Sequence, residues 1–285
     1  MKRRCMVVVG WVVTLSMLLP AGAARYDLSL GRFFSSQCTG TCPQENFENL
    51  MTDLGLATGP VFLAPAETLG LNGFSFGLEG TVVPISSGKD YWDVPTEGSP
   101  QSTLFIPHIH VRKGLPFSFE LGANLSYLPE SELFNVGAEL KWAMNEGFYY
   151  IPDLAIRFTI NHMVGSKDFE LTAGGWDVSI SHAFGLGGML SLTPYAGYNM
   201  LFIHASSHVV LPQDLTAEDQ VFSEMSWQDN MHHRLFIGCR LTTFIFQIIF
   251  EGVFHVGESL DRSAGLPVPD VSHAGMFSFK LGFDY

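Results

Sequence analysis

From about residue 73 to its end, the chain alternates large apolar residues with small, polar or charged ones. The alternation is clearest in PFSFELGANLSYL (116–128), LFNVGAELKWAM (133–144) and DLAIRFTIN (153–161). Successive side chains of a β-strand point to opposite faces of the sheet. These segments are therefore predicted to be strands with one apolar face and one polar face.

The alternation divides into about ten segments of roughly 9 to 14 residues, longer than the usual 5–6 residues of globular strands. Their predicted starts are Gly73, Ser102, Pro116, Leu133, Asp153, Phe169, Met189, Met231, Ile245 and Ala274. A tilted strand needs about 9–11 residues to cross a bilayer. In the sixth segment the apolar phase changes near Gly174 and Gly175, which we interpret as a β-bulge.

Composition indicates what the apolar faces meet. Charged residues are 15% of the chain and 24 residues are Phe, whereas soluble domains typically contain about 25% charged residues. A secreted β-sandwich also has alternating strands, but it explains neither the shortage of charge nor the strand length. We predict an all-β fold: a transmembrane antiparallel β-barrel of about ten strands over residues 73–285, with a short N-terminal helical extension.

The connections between the predicted strands support this topology. The three longest are 85–101, 207–230 and 258–273. All three are odd-numbered connections, so they fall on the same side of an up-and-down barrel, and the even-numbered ones are shorter. Outer-membrane barrels have long external loops and short periplasmic turns, so the three long connections are predicted to be external.

The N-terminus has the order of a secretory signal: a basic start at 2–4, an apolar run at 6–19, and small residues at Ala21 and Ala23. Residues 1–23 are predicted to be a signal peptide that is cleaved after Ala23, with cleavage after Ala24 as the alternative. An uncleaved anchor is the alternative, but the apolar run is shorter than the ~20 residues of a spanning helix. The mature protein is therefore expected to be exported.

Residues 24–72 do not follow the barrel pattern. Within PQENFENLMTDLG, Phe47, Leu50, Met51 and Leu54 recur at helical spacing, and Gly55 is a candidate helix end. We expect a short amphipathic helix, and two positions for the segment remain open. It lies either in the periplasm or inside the barrel as a plug.

The last strand, GMFSFKLGFDY, ends on an aromatic residue after alternate apolar positions. In this it resembles the assembly signal of bacterial outer-membrane β-barrel proteins, with Phe277, Phe279, Leu281, Phe283 and Tyr285 at the matching positions. The resemblance implies location in the bacterial outer membrane, contact with its lipid, and recognition by the barrel-assembly machinery. The size of the N-terminal extension is also distantly similar to the hatch of outer-membrane hydrocarbon transporters.

The polar phase of the strands places charged side chains inside the barrel. The candidate lumen-lining residues are Glu79, Arg112, Glu120, Glu139, Lys141, Asp153, Arg157, Asp177, Arg234, Arg240, Glu251 and Lys280. They are expected either to line a narrow or gated channel for small solutes or to fill the interior as an ion-pair network. The alternative function is a non-transporting barrel that displays external loops for structure or adhesion.

Other patterns give weaker signals. GFSFG places Ser75 in a G-x-S-x-G pattern, but inside a predicted strand and not at a strand–turn–helix elbow. His108 and His110 share a strand face, which is too few ligands for a metal site. We predict no enzyme activity, cofactor or metal. The net charge of −13 also argues against nucleic-acid binding. In an oxidising compartment, Cys38 and Cys42 are candidates for a disulfide.

Overall fold

A computed structural model of the protein describes residues 28–34, 42–96, 100–209, 222–228, 230–259 and 275–285. The predicted signal peptide and Cys38, with its proposed disulfide to Cys42, lie outside the described residues. Within these ranges, no helix combines the length and the apolarity needed to cross a bilayer.

The described chain is built mainly of long strands. They are β1 (Phe74–Pro84), β2 (Thr103–Leu115), β3 (Phe119–Tyr127), β4 (Phe134–Asn145), β5 (Asp153–Val164), β6 (Phe169–Ser181), β7 (Phe184–Leu186), β8 (Leu190–Ser207), β9 (Met231–Thr243), β10 (Phe246–Ser259) and β11 (Met276–Asp284). The helices are α1 (Cys42–Thr58), α2 (Asp90–Asp93) and the 3-10 turns Leu30–Phe34 and Pro116–Ser118. The predicted strand starts agree with these bounds to within a few residues.

The strands form a closed barrel. Each pairs antiparallel with its neighbour along the chain, except that β6 pairs with β8 and not with β7, and β1 pairs with β11. The short β7 extends the β6–β8 hairpin, pairing Phe184 with Leu192 and Leu186 with Leu190. With β7 counted as part of that hairpin, the barrel has ten strands. The predicted ten-strand antiparallel fold with a short N-terminal helix is confirmed.

Side chains alternate across the barrel wall. Outward-facing Leu78, Phe158 and Leu281 are each more than half exposed, whereas inward-facing Glu79 and Arg157 are buried. The buried charges belong to the interior and the exposed apolar groups to the outer wall. This is the reverse of a soluble protein, in which large apolar side chains are usually inside.

The two ends of the barrel differ. The loop end carries the connections 85–102, 128–133, 165–168, 208–230 and 260–275. The turn end carries the connections 116–118, 146–152, 187–189 and 244–245. The three longest connections therefore lie at the same end.

The predicted bulge at Gly174 and Gly175 is wrong. The β5–β6 register passes through both residues without a shift. The apolar phase changes because the inward face of β6 is itself apolar at the loop end, where Phe169 and Leu171 are buried. Register shifts occur instead between Ala143 and Asn145 in the β4–β5 pairing and near His255 in the β9–β10 pairing.

This apolar patch of the interior packs against α1. The buried helix residues Leu50 and Leu54 belong to the same cluster as the inward-facing Leu171 and Ile203. The helix runs past the predicted end at Gly55 to Thr58. Gly55 is needed inside the helix because a Cβ there would lie 2.7 Å from Ile203 Cγ2. The hydrophobic core therefore lies inside the loop end of the barrel.

Candidate functional site

Residues 59–69, which we call the threading segment, follow α1 and run through the interior toward the turn end. The direction follows from the contacts that Thr58, the last residue of α1, and the segment itself make with successive positions of β4. Thr58 O accepts a hydrogen bond from Asn135 Nδ2 (2.6 Å), near the loop-end start of β4. Glu67 O accepts one from Lys141 Nζ (2.9 Å), and Thr68 N donates to Glu146 Oε2 (2.7 Å), just past the turn-end limit of β4.

The structure places every predicted lumen-lining residue on the inward side of the wall. Those residues are Glu79, Arg112, Glu120, Glu139, Lys141, Asp153, Arg157, Asp177, Arg234, Arg240, Glu251 and Lys280. Asp153 lies apart from the others, at the turn end, where its Oδ1 accepts a hydrogen bond from Gly147 N (2.9 Å). The other eleven form what we call the charged belt.

Pairing within the charged belt follows the strand register. Glu79 and Lys280, Glu120 and Lys141, and Arg157 and Asp177 are direct cross-strand partners. The corresponding N–O distances are 3.4, 2.9 and 3.0 Å. Direct cross-strand neighbours are the closest side chains that a sheet offers, and a buried charge left without a partner is strongly destabilising. The belt therefore stabilises the interior only as a matched set.

The basic side chains of the charged belt also donate to the main chain of the threading segment. Arg112 Nη2 donates to Phe62 O (2.7 Å), and its Nε donates to Glu139 Oε1 (2.6 Å). Arg157 Nη1 donates to the same Phe62 carbonyl (2.9 Å), and Arg234 Nη2 donates to Pro60 O (3.1 Å). A guanidinium has five N–H donors, so one arginine can hold an acid and a carbonyl at once.

Glu251 accepts hydrogen bonds from N–H groups of the same segment. Its two carboxylate oxygens accept from Phe62 N (3.1 Å) and Leu63 N (2.9 Å), and one of them also accepts from Tyr195 OH (2.8 Å). Leu63 has a φ of 34°, a conformation uncommon for a non-glycine residue. Successive N–H groups that converge in this way form an anion-binding concavity, which the Glu251 carboxylate fills.

Phe62 is the main side-chain anchor of the threading segment. Its ring stacks on Phe236 at 4.3 Å, and the guanidinium groups of Arg157 and Arg234 lie 5.0 and 5.3 Å from its centroid. Aromatic stacking and cation–π contacts each add stabilisation beyond area burial. Phe62 and Phe236 were not among the predicted site residues. The shared parity of Phe236 with Arg234 is the signal that places it inside.

Little space remains beside the threading segment at the turn end. A cavity of about 10 Å³ lies between Pro65 and Leu69 on one side and Arg112, Glu120 and Lys141 on the other. That volume holds about one water molecule. The threading segment therefore blocks the interior of the barrel at the level of the charged belt.

His110 and Ser75, which the sequence patterns singled out, also lie in the barrel interior. His110 lies 3.1 Å from Glu79 and 3.4 Å from Glu139, measured from its Nδ1 and Nε2. No group of three or more metal-ligating side chains is arranged to hold an ion among the residues that the structure describes. Ser75 lies within β1, and its hydroxyl accepts a hydrogen bond from Gln247 Nε2 (3.0 Å).

At the loop end, a buried carboxylate links α1 to the β1–β2 connection. Asp53 accepts hydrogen bonds from Trp92 Nε1 and, at 3.5 Å, from Ser86 N. Burial raises the pKa of Asp53 to about 7, against the lowering effect of these two hydrogen bonds. The helix is therefore joined to the loop by a group that titrates near neutral pH.

The last strand presents its aromatic residues on the outer wall. Phe277, Leu281 and Phe283 are exposed, Phe279 is half-buried, and Tyr285 is 87% exposed. The main chain of this strand closes the barrel, since Phe74 N donates to Tyr285 O (2.7 Å).

No protein-family model matches the chain, and no curated protein matches its sequence. Similar solved structures include the N-terminal β-barrel domain of Pseudomonas aeruginosa OprF (11% identity, 76% of this chain and 99% of that one, TM-score 0.29). Another is Neisserial surface protein A, with 11% identity over 74% of this chain and 95% of that one and a TM-score of 0.31. A third is the β domain of the Bordetella autotransporter BrkA, with 12% identity over 75% of this chain and 98% of that one and a TM-score of 0.33. At such identities and TM-scores these similarities carry no functional conclusion.

Proposed function

We propose that the protein is a bacterial outer-membrane β-barrel, exported with a cleaved signal peptide and inserted by the barrel-assembly machinery. The support is the outer wall, where large apolar side chains such as Leu78 and Phe158 are more than half exposed. Lipid covers such a wall favourably, and a closed barrel pairs the main-chain groups that hydrocarbon cannot. The exposed aromatic face of β11 is the surface offered to the assembly machinery.

Within that membrane, the barrel is a gated channel for small solutes, with its own N-terminal residues 42–69 as the plug. The observation that carries this proposal is the set of hydrogen bonds from Arg112, Arg157, Arg234 and Lys141 to carbonyls of the threading segment. Hydrogen bonds to charged groups contribute about 1.5–3 kcal/mol each. The plug is therefore firmly held, and gating requires that these non-covalent contacts be broken together.

Planar-bilayer conductance tests the gate. The unmodified chain is expected to be mostly silent with brief openings, and Phe62→Ala is expected to raise the open fraction because it removes the stacking on Phe236. The matched control is Phe158→Ala, an equal truncation on the outer wall.

A second variant, Ala66→Cys with Ser181→Cys, joins positions that contact each other, since Ala66 N lies 3.1 Å from Ser181 Oγ. Its oxidised form should never open, and reduction should restore the openings.

Silence of every variant, including the reduced disulfide variant, would contradict the channel. The second candidate, a non-transporting barrel that acts through its loops, would then be preferred. The small volume left beside the threading segment favours it. Removing the 208–230 connection should in that case abolish binding to a surface partner and leave insertion intact. Neither proposal gives Ser75 a catalytic role.

A further inference from the structure

The earliest described residues, 28–34, lie at the loop end. Ser29 N donates to Pro95 O (3.1 Å), in the β1–β2 connection. Leu30 N donates to Asp168 Oδ2 (2.9 Å), in the β5–β6 connection. Phe33 contacts the ring of Phe222, in the β8–β9 connection, at a centroid distance of 6.3 Å. Three loop-end connections therefore hold this part of the chain.

The same chain leaves the interior at the opposite end. Thr68 is bound by Glu146 in the β4–β5 turn, and Leu69 N donates to Glu120 Oε2 (3.1 Å). A few residues later, Phe74 begins β1 beside the last residue of the chain, Tyr285. An extended chain advances at most about 3.3–3.6 Å per residue, so the eleven residues of the threading segment are enough to cross the turn-end half of a ~30 Å hydrocarbon core, while α1 fills the loop-end half.

Side chains of the barrel wall along this path bind the main-chain atoms of the threading segment. Carbonyls of the threading segment accept from arginine and lysine, and its N–H groups donate to Glu251, Ser181, Glu146 and Glu120. Main-chain groups are common to every polypeptide, whereas side-chain contacts such as that of Phe62 with Phe236 depend on the sequence that is bound. These contacts are those of a binding site for a polypeptide.

We infer that the interior of this barrel is a polypeptide-binding passage that holds residues 42–69 along its length and presents the chain around residues 28–34 on the loop-end surface. The inference depends on the proposed function in one respect, namely that the loop end faces outward. The N-terminal part of the mature protein then belongs to the same surface as the long loops. The ligand class of the passage is a polypeptide, helical over 42–58 and without regular secondary structure over 59–69, which this chain supplies itself.

Cysteine labelling of intact cells tests this inference. The full chain is used, with Cys38, Cys42 and Cys239 replaced by serine, and single cysteines are introduced as Gly31→Cys, Lys167→Cys or Gly185→Cys. The three positions are exposed, and an added Cβ at Gly31 or Gly185 meets no atom closer than 3.9 Å. Lys167 marks the loop end and Gly185 the turn end. The probe is a membrane-impermeant maleimide, and heat-modifiable electrophoretic mobility verifies that each variant is folded.

The expected result is equal labelling of Gly31→Cys and Lys167→Cys in intact cells, with Gly185→Cys labelled at least tenfold less until the outer membrane is permeabilised. Labelling of Gly31→Cys that follows Gly185→Cys would overturn the inference, and so would protection of both Gly31→Cys and Lys167→Cys. If Gly31→Cys fails to fold, Arg32→Cys is the replacement. A silent bilayer recording leaves this result unaffected, so failure of the gate and failure of the passage are distinguishable.

Discussion

The two halves of the barrel interior are filled in opposite ways. At the loop end, helix α1 packs apolar side chains such as Leu54 against apolar wall residues such as Ile203. At the turn end, the threading segment lies without regular secondary structure against the charged belt. A helix satisfies most of its own N–H and C=O groups, so its wall needs to match only side chains. A segment without regular secondary structure leaves those groups without internal partners, and buried main-chain groups require partners. The chemistry of the wall therefore follows the secondary structure of what it encloses.

The largest effect is expected in the charged half, for Arg157→Ala. Arg157 is buried and contacts Asp177, Glu139 and Phe62 O. Its removal leaves a buried carboxylate without its partner, which typically destabilises by about 3–5 kcal/mol. Urea unfolding in lipid vesicles measures the change. The double variant Arg157→Ala with Asp177→Ala should recover part of the loss, because it also removes the unpaired charge.

The control for that experiment is Lys113→Ala. Lys113 is exposed, and its Nζ lies 3.2 Å from Gly73 O. A surface substitution of this kind usually changes stability by less than about 0.5 kcal/mol. Equal losses for Arg157→Ala and Lys113→Ala would show that the charged belt is not a matched set.

The next prediction compares the same truncation in both halves. Leu54→Ala opens a cavity in the apolar cluster and should destabilise by about 2–5 kcal/mol. Leu69 is half-buried and is held through its N–H by Glu120, so Leu69→Ala keeps that contact and should cost less than about 1 kcal/mol. The same unfolding assay measures both. Similar losses would mean that the threading segment is recognised by side chains and not by its main chain.

A pH prediction concerns the loop-end half. The pKa of Asp53 is about 7 in the folded protein against 3.8 as its ordinary value. Between these values the folded state holds a proton that the unfolded state releases, so stability falls as the pH rises from about 4 to about 7. Asp53→Asn keeps an acceptor for Trp92 and cannot ionise. The free energy of unfolding should fall more between pH 5 and pH 8 for the unmodified chain than for Asp53→Asn. Equal decreases for the two proteins would rule out this role for Asp53.

Much of the fold could be predicted from alternation alone. The predicted starts of β5 at Asp153 and of β9 at Met231 coincide with the observed ones, because one wall face is apolar along nearly the whole strand. The interpretation failed at Gly174, where the interior turns apolar to meet α1. Alternation reports a difference between two faces, and there the difference disappears.

The candidate site was predictable only in part. Strand parity places Arg112 and Glu251 inside, but no local pattern indicates that both bind Phe62 and Leu63, which are distant in sequence. The segment that contains Phe62 has neither helical nor strand periodicity, so its path depends on contacts made after the barrel closes. Tyr195 shares parity with Thr193 and Asn199, a signal that places its side chain inside.

The smallest effect is expected at the rim of the loop end, where charge pairs are hydrated. His208 Nε2 lies 3.3 Å from Glu170 Oε1, and both side chains are about half exposed. This contact is an ion pair only while the imidazole is protonated, and exposed ion pairs contribute 0 to about 1 kcal/mol, because solvent and salt screen them and their side chains lose entropy. Glu170→Gln should therefore change the free energy of unfolding by less than about 0.5 kcal/mol at low salt and by less still at 0.5 M NaCl. A loss comparable with that of Arg157→Ala would contradict the contrast, because a hydrated pair would then act like a buried one.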